Sequence, residues 1–384
     1  MSAEQAEQRV APSSEAGWID LPAFVEPHAH LDKAFLAEVV PNPTGDLMGA
    51  IRAMEASRDL ITLEDTIERA ERAARVMLRN GATAIRTHAD VTVENGLMSV
   101  EALLTVRERL RHEVDIQVVA LCGWPALGRA GADQRALLRD AIDAGVDLVG
   151  GCPHLEDDPT AANELFLDIA AQAGLGVDLH TDETLDPSRL ALDHLARLVL
   201  SSGFPHPVTA SHCVSLGVQT LEVQQAVAER VAAAGIGVVV LPHTNLFLQG
   251  REHRSATPRG LAPVDVLRRA GVLVAAGGDN LQDPFNPVGR GDPLETAALM
   301  VMAAHQLPDE ALASVSTTAR AVLGLDEGDR VLLRATTVRE AIAFGPADRI
   351  VHRGASPDVG PPDVIRSTHG GNARPRRDLY VEGE

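Results

Sequence analysis

The sequence predicts an α/β protein, a (β/α)₈ TIM barrel followed by a reduced β-sandwich appendage. Short apolar runs alternate with longer helical patterns eight times over about 300 residues, as in barrels of this class. The sequence has no glycine-rich phosphate-binding fingerprint, which disfavours the alternative of a doubly wound sheet. Glycine closes the helical pattern before one strand after another: Gly81, Gly145, Gly174, Gly235 and Gly271.

The eight barrel strands are predicted from runs of Val, Ile, Leu and Ala. In chain order they are residues 23–30, 82–88, 115–121, 146–151, 176–180, 207–212, 236–242 and 271–279. Helical patterns such as 62–81 and 221–235 repeat apolar residues every three or four positions and end at glycine. We expect a flexible polar tail at 1–17, the barrel at 18–325, and a small β appendage with a C-terminal tail at 326–384.

Composition excludes several functions. Acidic residues number 54 against 34 basic ones, a formal charge of −20 that repels nucleic acid and anionic membrane surfaces. Aromatic residues make up only 3%, which disfavours base-stacking surfaces. The three cysteines lack metal-finger or disulfide spacing, and the polar N-terminus does not read as a signal peptide. These features predict a cytoplasmic protein.

Histidines and one aspartate fall where the predicted strands end. The first strand ends in His28 and His30, which point to the same side because they are two residues apart. Other strands end in His180, His212 and Asp279. A single strand-end histidine is usually a hydrogen-bonded core residue, but repetition at matched ends favours a metal site. Such nitrogen and oxygen ligands suit Zn²⁺ or Fe²⁺ and leave a position for water.

Glu183 follows His180 by three residues. This position just past a strand suits a carboxylate that moves a proton between metal-bound water and a ring nitrogen of the substrate. The alternative is an acidic residue favoured only by the dipole of the following helix.

Seven sequence blocks resemble the amidohydrolase superfamily, and most closely its cytosine deaminase-like branch. They span about residues 20–325 and read FVEPHAHLDKAF, IRTHAD, PHLE, VDLHTDE, VTASH, NLFLQGR and GGDNLQDPFNPVG. The resemblance implies that Glu183 is the proton shuttle and that His212 orients or polarises the attacking water. It also implies one metal ion with four ligands: His28, His30, His180 and Asp279. We expect His212 and Asp279 together to stabilise the attacking oxygen until ammonia leaves.

The same resemblance implies a substrate pocket formed by Trp124, His154, Gln249, Asn280 and Phe285, with Gln249 either touching substrate or bracing its loop. The chain departs from the family pattern at two of these positions. Trp124 follows the third strand, where cytosine deaminases carry a pyrimidine-reading glutamine, and Asn280 replaces a second aspartate. These departures weaken the expectation of cytosine itself more than that of deamination.

Three further polar residues keep open roles. For His88 we favour a hydrogen-bonded strand-end histidine over a place beside the ligands or in the pocket. Glu156, like His154, either lies at the pocket edge or has a purely structural role. Lys33, the only lysine in the chain, lies on the wrong strand to bridge two metals; it either reaches into the barrel mouth or pairs with a carboxylate.

The sequence therefore predicts a metal-dependent hydrolase that deaminates a small nitrogen heterocycle, cytosine-like or a related cyclic amidine, by metal-hydroxide attack. The cofactor is one divalent ion, Zn²⁺ or Fe²⁺, and a homo-oligomer is expected only by resemblance. One alternative is hydrolysis of another C–N bond, by opening a cyclic amide or removing an alkylamine from a triazine-like ring. Another is a barrel that binds a small molecule without turnover.

Overall fold

The computed structural model describes residues 17–354 and 364–367. The predicted N-terminal tail, apart from Gly17, and most of the C-terminal tail lie outside the described residues. In chain order the strands are Ile19–Pro22 (β1), Phe24–Ala29 (β2), Ala82–Val91 (β3), Asp115–Cys122 (β4), Leu148–Gly151 (β5), Gly176–Thr181 (β6), Val208–His212 (β7), Gly237–Val240 (β8), Val274–Ala276 (β9), Arg330–Leu333 (β10), Arg349–His352 (β11) and Val364–Ser367 (β12).

The α-helices lie mainly between the barrel strands. They are Leu47–Ala56 (α1), Leu63–Arg79 (α2), Met98–Leu110 (α3), Ala132–Asp143 (α4), Pro159–Ala173 (α5), Ala191–Ser202 (α6), Leu221–Ala233 (α7), Pro242–Leu248 (α8), Val264–Arg269 (α9), Pro293–Ala303 (α10), Pro308–Ser314 (α11), Thr317–Val322 (α12) and Val338–Phe344 (α13). Within the described ranges, no helix combines the length and apolar character needed to cross a membrane.

Strands β2 to β9 form one parallel sheet in sequential order, which confirms the predicted barrel. A parallel bridge between Ala29 and Asp279 links the first strand to the segment after the last one. The backbone N–H of Asp279 donates to the carbonyl of His28 at 3.0 Å, and that of His30 donates to the carbonyl of Asp279 at 3.1 Å. This closure brings the ends of the first and last strands into contact.

Helix α2 shows why the predicted helices form where they do. The Thr62 hydroxyl accepts a hydrogen bond from the backbone N–H of Asp65 at 3.2 Å and so caps the first turn. The chain then turns into β3 at Gly81, whose φ of 97° favours glycine. A Cβ there would also lie 3.0 Å from the ring of Phe24, so the packing against β2 leaves little room for a side chain.

The barrel interior below the strand ends is polar. Arg86 on β3 is buried and donates to Asp178 on β6 at 2.9 Å, to Thr209 at 3.0 Å and to Gln117 at 2.9 Å. Because burying a charge without a partner is costly, this ion pair and its hydrogen bonds make the polar interior tolerable. The layer lies directly beneath the histidines.

The appendage is a four-stranded antiparallel sheet in the order β1, β10, β11, β12. Ile19–Pro22 pairs with Arg330–Leu333, so the sheet takes its first strand from the N-terminal side of the barrel. The guanidinium of Arg349 on β11 binds both carboxylate oxygens of Asp292, at 2.8 and 2.6 Å. Since Asp292 also caps α10, this buried bidentate pair fastens the sheet to the barrel.

Candidate active site

Strand ends bring the predicted ligands together at one end of the barrel. Nε2 of His30 lies 3.2 Å from Nε2 of His180 and 3.3 Å from Oδ1 of Asp279. The same Asp279 oxygen lies 3.6 Å from Nε2 of His28. Two groups of three side chains could each hold a metal ion, because their ligand atoms lie within 4.8 Å of one another. The first group is His28, His212 and Asp279, and the second is His28, His88 and His180.

The unsatisfied atoms of this cluster fit a divalent cation. Among the described residues, Nε2 of His28, Nδ1 of His180, Nε2 of His212 and both carboxylate oxygens of Asp279 are buried without a hydrogen-bond partner. Buried polar atoms are rarely left unpaired, and these nitrogen and oxygen donors suit Zn²⁺ or Fe²⁺. Burial, and then the neighbouring His88, hold the pKa of His28 and of His180 well below the usual histidine value, so both rings are neutral.

Backbone geometry also marks the cluster. Asp279 has a φ of 62° and His212 a φ of 69°, both in the left-handed region that residues with a Cβ seldom adopt. Such strain persists only where the surrounding structure enforces it, and it is frequent at functional sites.

Hydrogen bonds on the far side of the rings orient two of these histidines. Nδ1 of His28 lies 2.9 Å from the hydroxyl of Ser211, which donates to Asp178 at 3.0 Å. Nδ1 of His212 lies 3.0 Å from the side-chain oxygen of Asn245. A carboxylate or amide oxygen can only accept, so in both rings Nδ1 carries the proton and Nε2 keeps a lone pair. Sequence reasoning assigned no role to Ser211 or Asn245, although they lie in the blocks VTASH and NLFLQGR.

His88 corrects a sequence prediction. We expected a hydrogen-bonded strand-end histidine, but neither ring nitrogen has a hydrogen-bond partner within the described part of the chain. The ring is fully buried, its centroid lies 3.9 Å from that of His28, and Nε2 lies 3.9 Å from Oδ1 of Asp178. His88 therefore packs directly against the ligand cluster, which comprises the predicted metal ligands His28, His30, His180 and Asp279. From the sequence alone, a single histidine at a strand end cannot be assigned to a hydrogen-bonded role or to a role beside metal ligands.

Glu183 lies between two histidines, facing the cluster. Oε1 is 3.7 Å from Nδ1 of His212, and Oε2 is 3.9 Å from Nε2 of His154. His154 is itself fixed by a 3.0 Å contact between its Nδ1 and the backbone carbonyl of His180. Burial, and then the negative charge of Asp279, raise the pKa of Glu183 well above the usual glutamate value.

A cavity of about 420 Å³ opens above Glu183 and the histidines. Its walls include four residues predicted for the substrate pocket: Trp124, His154, Asn280 and Phe285. Gln249 does not line the cavity; its side-chain amide donates to the backbone carbonyl of Glu183 at 3.2 Å. Glu156 does not line it either, and accepts a hydrogen bond from the backbone N–H of Ala126.

One wall of the cavity was not anticipated from the sequence. Helix α1 presents Leu47, Ile51 and Met54 to the cavity, and Met98 from α3 lies on the same side. Spacings of four and three residues place the α1 side chains on one helical face. The cavity therefore combines a polar floor with an apolar side.

Lys33 is buried against the ligand cluster. Its ammonium lies 2.7 Å from Oδ1 of Asp90, 3.1 Å from Nδ1 of His30 and 3.5 Å from Oδ1 of Asp32. Burial lowers the pKa of Lys33, but the two carboxylates outweigh it and raise the pKa above the usual lysine value. Both alternatives for Lys33 hold at once, since it reaches the barrel mouth and pairs with carboxylates there.

Comparison with known proteins identifies the family. The family model described as "Amidohydrolase family" matches residues 37–334, more than half of the chain. The chain belongs to the amidohydrolase family. This amidohydrolase is 34% identical to a pterin deaminase of Rhizobium rhizogenes over 348 residues, which is 86% of the chain and 78% of that relative. The family resemblance inferred from the sequence is thus confirmed, and the chain is an enzyme.

Two solved structures support the same conclusion. A 5-methylcytosine deaminase from Klebsiella pneumoniae superposes with a TM-score of 0.80 at 29% identity, covering 98% of this amidohydrolase and 92% of that chain. An N-isopropylammelide isopropylaminohydrolase from Burkholderia multivorans gives a TM-score of 0.75 at 33% identity, with 88% and 86% covered.

Proposed function

We propose that this amidohydrolase removes the amino group from a cyclic amidine in a nitrogen heterocycle, with water as the second substrate. The observation that carries the proposal is the position of Glu183, held between His154 and His212 at the floor of the cavity beside unsatisfied ligand atoms. The similarity to a pterin deaminase and to a 5-methylcytosine deaminase supports this reaction over other hydrolyses.

We assign the metal ligands to His28, His30, His180 and Asp279. A Zn²⁺ or Fe²⁺ ion held there would act as a Lewis acid and lower the pKa of bound water. The buried and neutral imidazoles of His28 and His180 suit such an ion, because only an unprotonated nitrogen can ligate.

The remaining chemistry falls to the chain's own side chains. His212 presents the lone pair of Nε2 and accepts a hydrogen bond from the attacking water, because Asn245 holds the proton on Nδ1. Glu183 takes a proton from that water and delivers it to a ring nitrogen of the amidine. The water oxygen bonds to the ring carbon, and Glu183 moves the second water proton to the amino group. The C–N bond to that group then breaks, ammonia leaves, and the ring carbon becomes a carbonyl.

The cavity favours a ring system larger than a single pyrimidine. Its volume of about 420 Å³ lies within the range of pockets that enclose whole ligands. Its lining also includes the apolar side chains of Leu47, Ile51 and Met54, which suit the hydrophobic part of a second ring. Together with the similarity to the pterin deaminase, this supports a pterin-type bicyclic substrate.

A second candidate is removal of an alkylamine from a triazine-like ring. The same apolar wall would accept an alkyl group, and the N-isopropylammelide enzymes of Burkholderia multivorans and Pseudomonas sp. are similar to this chain. Release of ammonia from a pterin and release of isopropylamine from N-isopropylammelide separate the two candidates.

The test combines metal analysis with product detection. We expect purified protein to contain about one Zn²⁺ or Fe²⁺ per chain, to release ammonia from pterin, and to lose this activity on chelation. Glu183→Gln should retain the metal and lower kcat by about 10²- to 10⁴-fold. Glu164→Gln, a change at an exposed carboxylate on α5, is the matched control. Unchanged turnover in Glu183→Gln would exclude the proton-transfer role.

A further inference from the structure

Asp90 lies at the cavity end of an inward-facing column on β3. Arg86, His88 and Asp90 alternate along this strand, and residues two apart in a strand face the same side. Arg86 and His88 are buried in the barrel interior, whereas the Asp90 side chain is 28% exposed and lines the cavity. The carboxylate thus faces the substrate space beside the ligand cluster.

Lys33 and Asp32 hold Asp90 in place. The Lys33 ammonium donates to Oδ1 of Asp90 at 2.7 Å, and Oδ2 of Asp32 accepts from the backbone N–H of Asp90 at 3.1 Å. Across the described residues, Oδ2 of Asp90 has no protein donor. The structure therefore presents one fixed carboxylate oxygen to the cavity.

Lys33 directs its hydrogen bonds to two carboxylates. Its ammonium lies 2.7 Å from Oδ1 of Asp90 and 3.5 Å from Oδ1 of Asp32. Two carboxylates around one ammonium also leave this corner with a net charge of −1. It therefore attracts hydrogen-bond donors and repels substrate oxygen atoms.

Asn95 adds an acceptor next to Asp90. Its side-chain amide group donates to the backbone carbonyl of Asp90 and contacts the hydroxyl of Ser99, both at 2.9 Å. Its Oδ1 atom is buried and has no partner in the described part of the chain, and the residue lines the cavity. A buried acceptor without a donor costs free energy, so a hydrogen-bond donor on the substrate would be favoured next to Asn95 and Asp90.

We propose that Asp90 determines substrate specificity by accepting a hydrogen bond from a ring N–H of the heterocycle, with Lys33 as its positioning residue. The inference rests on the proposed function and narrows its substrate class to amidine heterocycles that carry a lactam-type N–H in the ring. A site built around such a hydrogen bond rejects an analogue that leaves its polar group unpaired.

The test compares two enzymes with two ligands. Pterin carries a ring N–H at N3, and 3-methylpterin has a methyl group there. Wild-type enzyme should prefer pterin over 3-methylpterin by at least about 100-fold in kcat/KM. Asp90→Asn keeps the shape and an acceptor for Lys33 but turns a donor towards the ring. It should lower kcat/KM for pterin about 100-fold and bring the ratio between the two ligands to within threefold.

A purely structural role for Asp90 makes the opposite prediction. Asp90→Asn would then lower kcat/KM for both ligands equally, and the ratio between them would stay at its wild-type value. Glu38→Gln, the same charge change at an exposed site in the loop after β2, is the control and should leave the ratio unchanged.

Dissociation constants measured by titration of the same two ligands keep the test independent of turnover. Wild-type protein should bind pterin more tightly than 3-methylpterin, and Asp90→Asn should abolish the difference. If the protein binds with this preference but releases no ammonia, the proposed function fails and the Asp90 inference stands. If it releases ammonia without any preference, the Asp90 inference fails alone.

Discussion

The hydroxyl oxygen of Ser211 lies 2.9 Å from Nδ1 of His28. Because this hydroxyl donates its own proton to Asp178, it accepts from His28 and leaves Nε2 of that ring free for a metal. Ser211→Ala should therefore weaken Zn²⁺ binding by about 10- to 100-fold, the usual effect of losing such an orienting partner. Competition with a chelator at fixed pH measures the change.

The control for this prediction is Ser201→Ala, at an exposed serine of α6 whose hydroxyl donates only to the backbone of Leu198. It should bind Zn²⁺ as the wild type does. Equal affinities for Ser211→Ala and the wild type would show that the hydroxyl does not set the orientation of His28.

The Arg86–Asp178 ion pair should matter for stability. Both side chains are almost fully buried, and the donor–acceptor distance is 2.9 Å. Arg86→Met leaves the Asp178 charge without its partner, and breaking a buried pair in this way costs about 3–5 kcal/mol of unfolding free energy. Urea unfolding monitored by circular dichroism should show the loss as a lower midpoint.

An exposed pair provides the comparison. Arg269 and Asp265 on α9 are also 2.9 Å apart, but their side chains are 79% and 72% exposed. Arg269→Met should change the unfolding free energy by less than about 1 kcal/mol, because water screens exposed pairs. Similar midpoints for the two variants would refute the role assigned to burial.

Asp283 should make stability depend on pH. Burial raises its pKa to about 7, although it accepts hydrogen bonds from Asn280, Phe285 and Asn286. Between the usual value of 3.8 and about 7 the folded state holds more protons than the unfolded one, so stability falls as pH rises through this window. Asp283→Asn removes this contribution, and its unfolding free energy should decline less than that of the wild type from pH 4 to 7.

Hydrophobic pattern was enough to predict the barrel. Most strands are apolar runs that follow a glycine, as after Gly81, Gly145, Gly174 and Gly235, and closure then brings their ends together without further information. The last two strands are shorter than predicted, Gly237–Val240 and Val274–Ala276. The first of these strands ends early because Pro242 begins helix α8, and that helix places Asn245 at the site.

Contacts between distant segments could not be predicted from the sequence. Lys33, in the turn after β2, and Asp90, on β3, are 57 residues apart, and only the barrel places these two segments side by side. Helix α1 was missed, although its apolar face forms one side of the cavity. The pairing of Ile19–Pro22 with Arg330–Leu333 likewise depends on the two ends of the barrel meeting, which no local pattern encodes.

Helix α1 should affect the choice between substituted and unsubstituted rings. Ile51 faces the cavity, whereas Met48 on the same helix is 40% exposed and does not line it. Ile51→Asp should lower kcat/KM for a pterin with a six-carbon alkyl chain by about 10-fold or more relative to unsubstituted pterin, since a hydrophobic pocket discriminates by about 1–3 kcal/mol for small apolar groups. Met48→Asp introduces the same charge on the same helix, at a side chain that does not line the cavity, and should leave that ratio unchanged. A ratio that shifts equally in both variants would mean that the apolar wall does not contact the substituent.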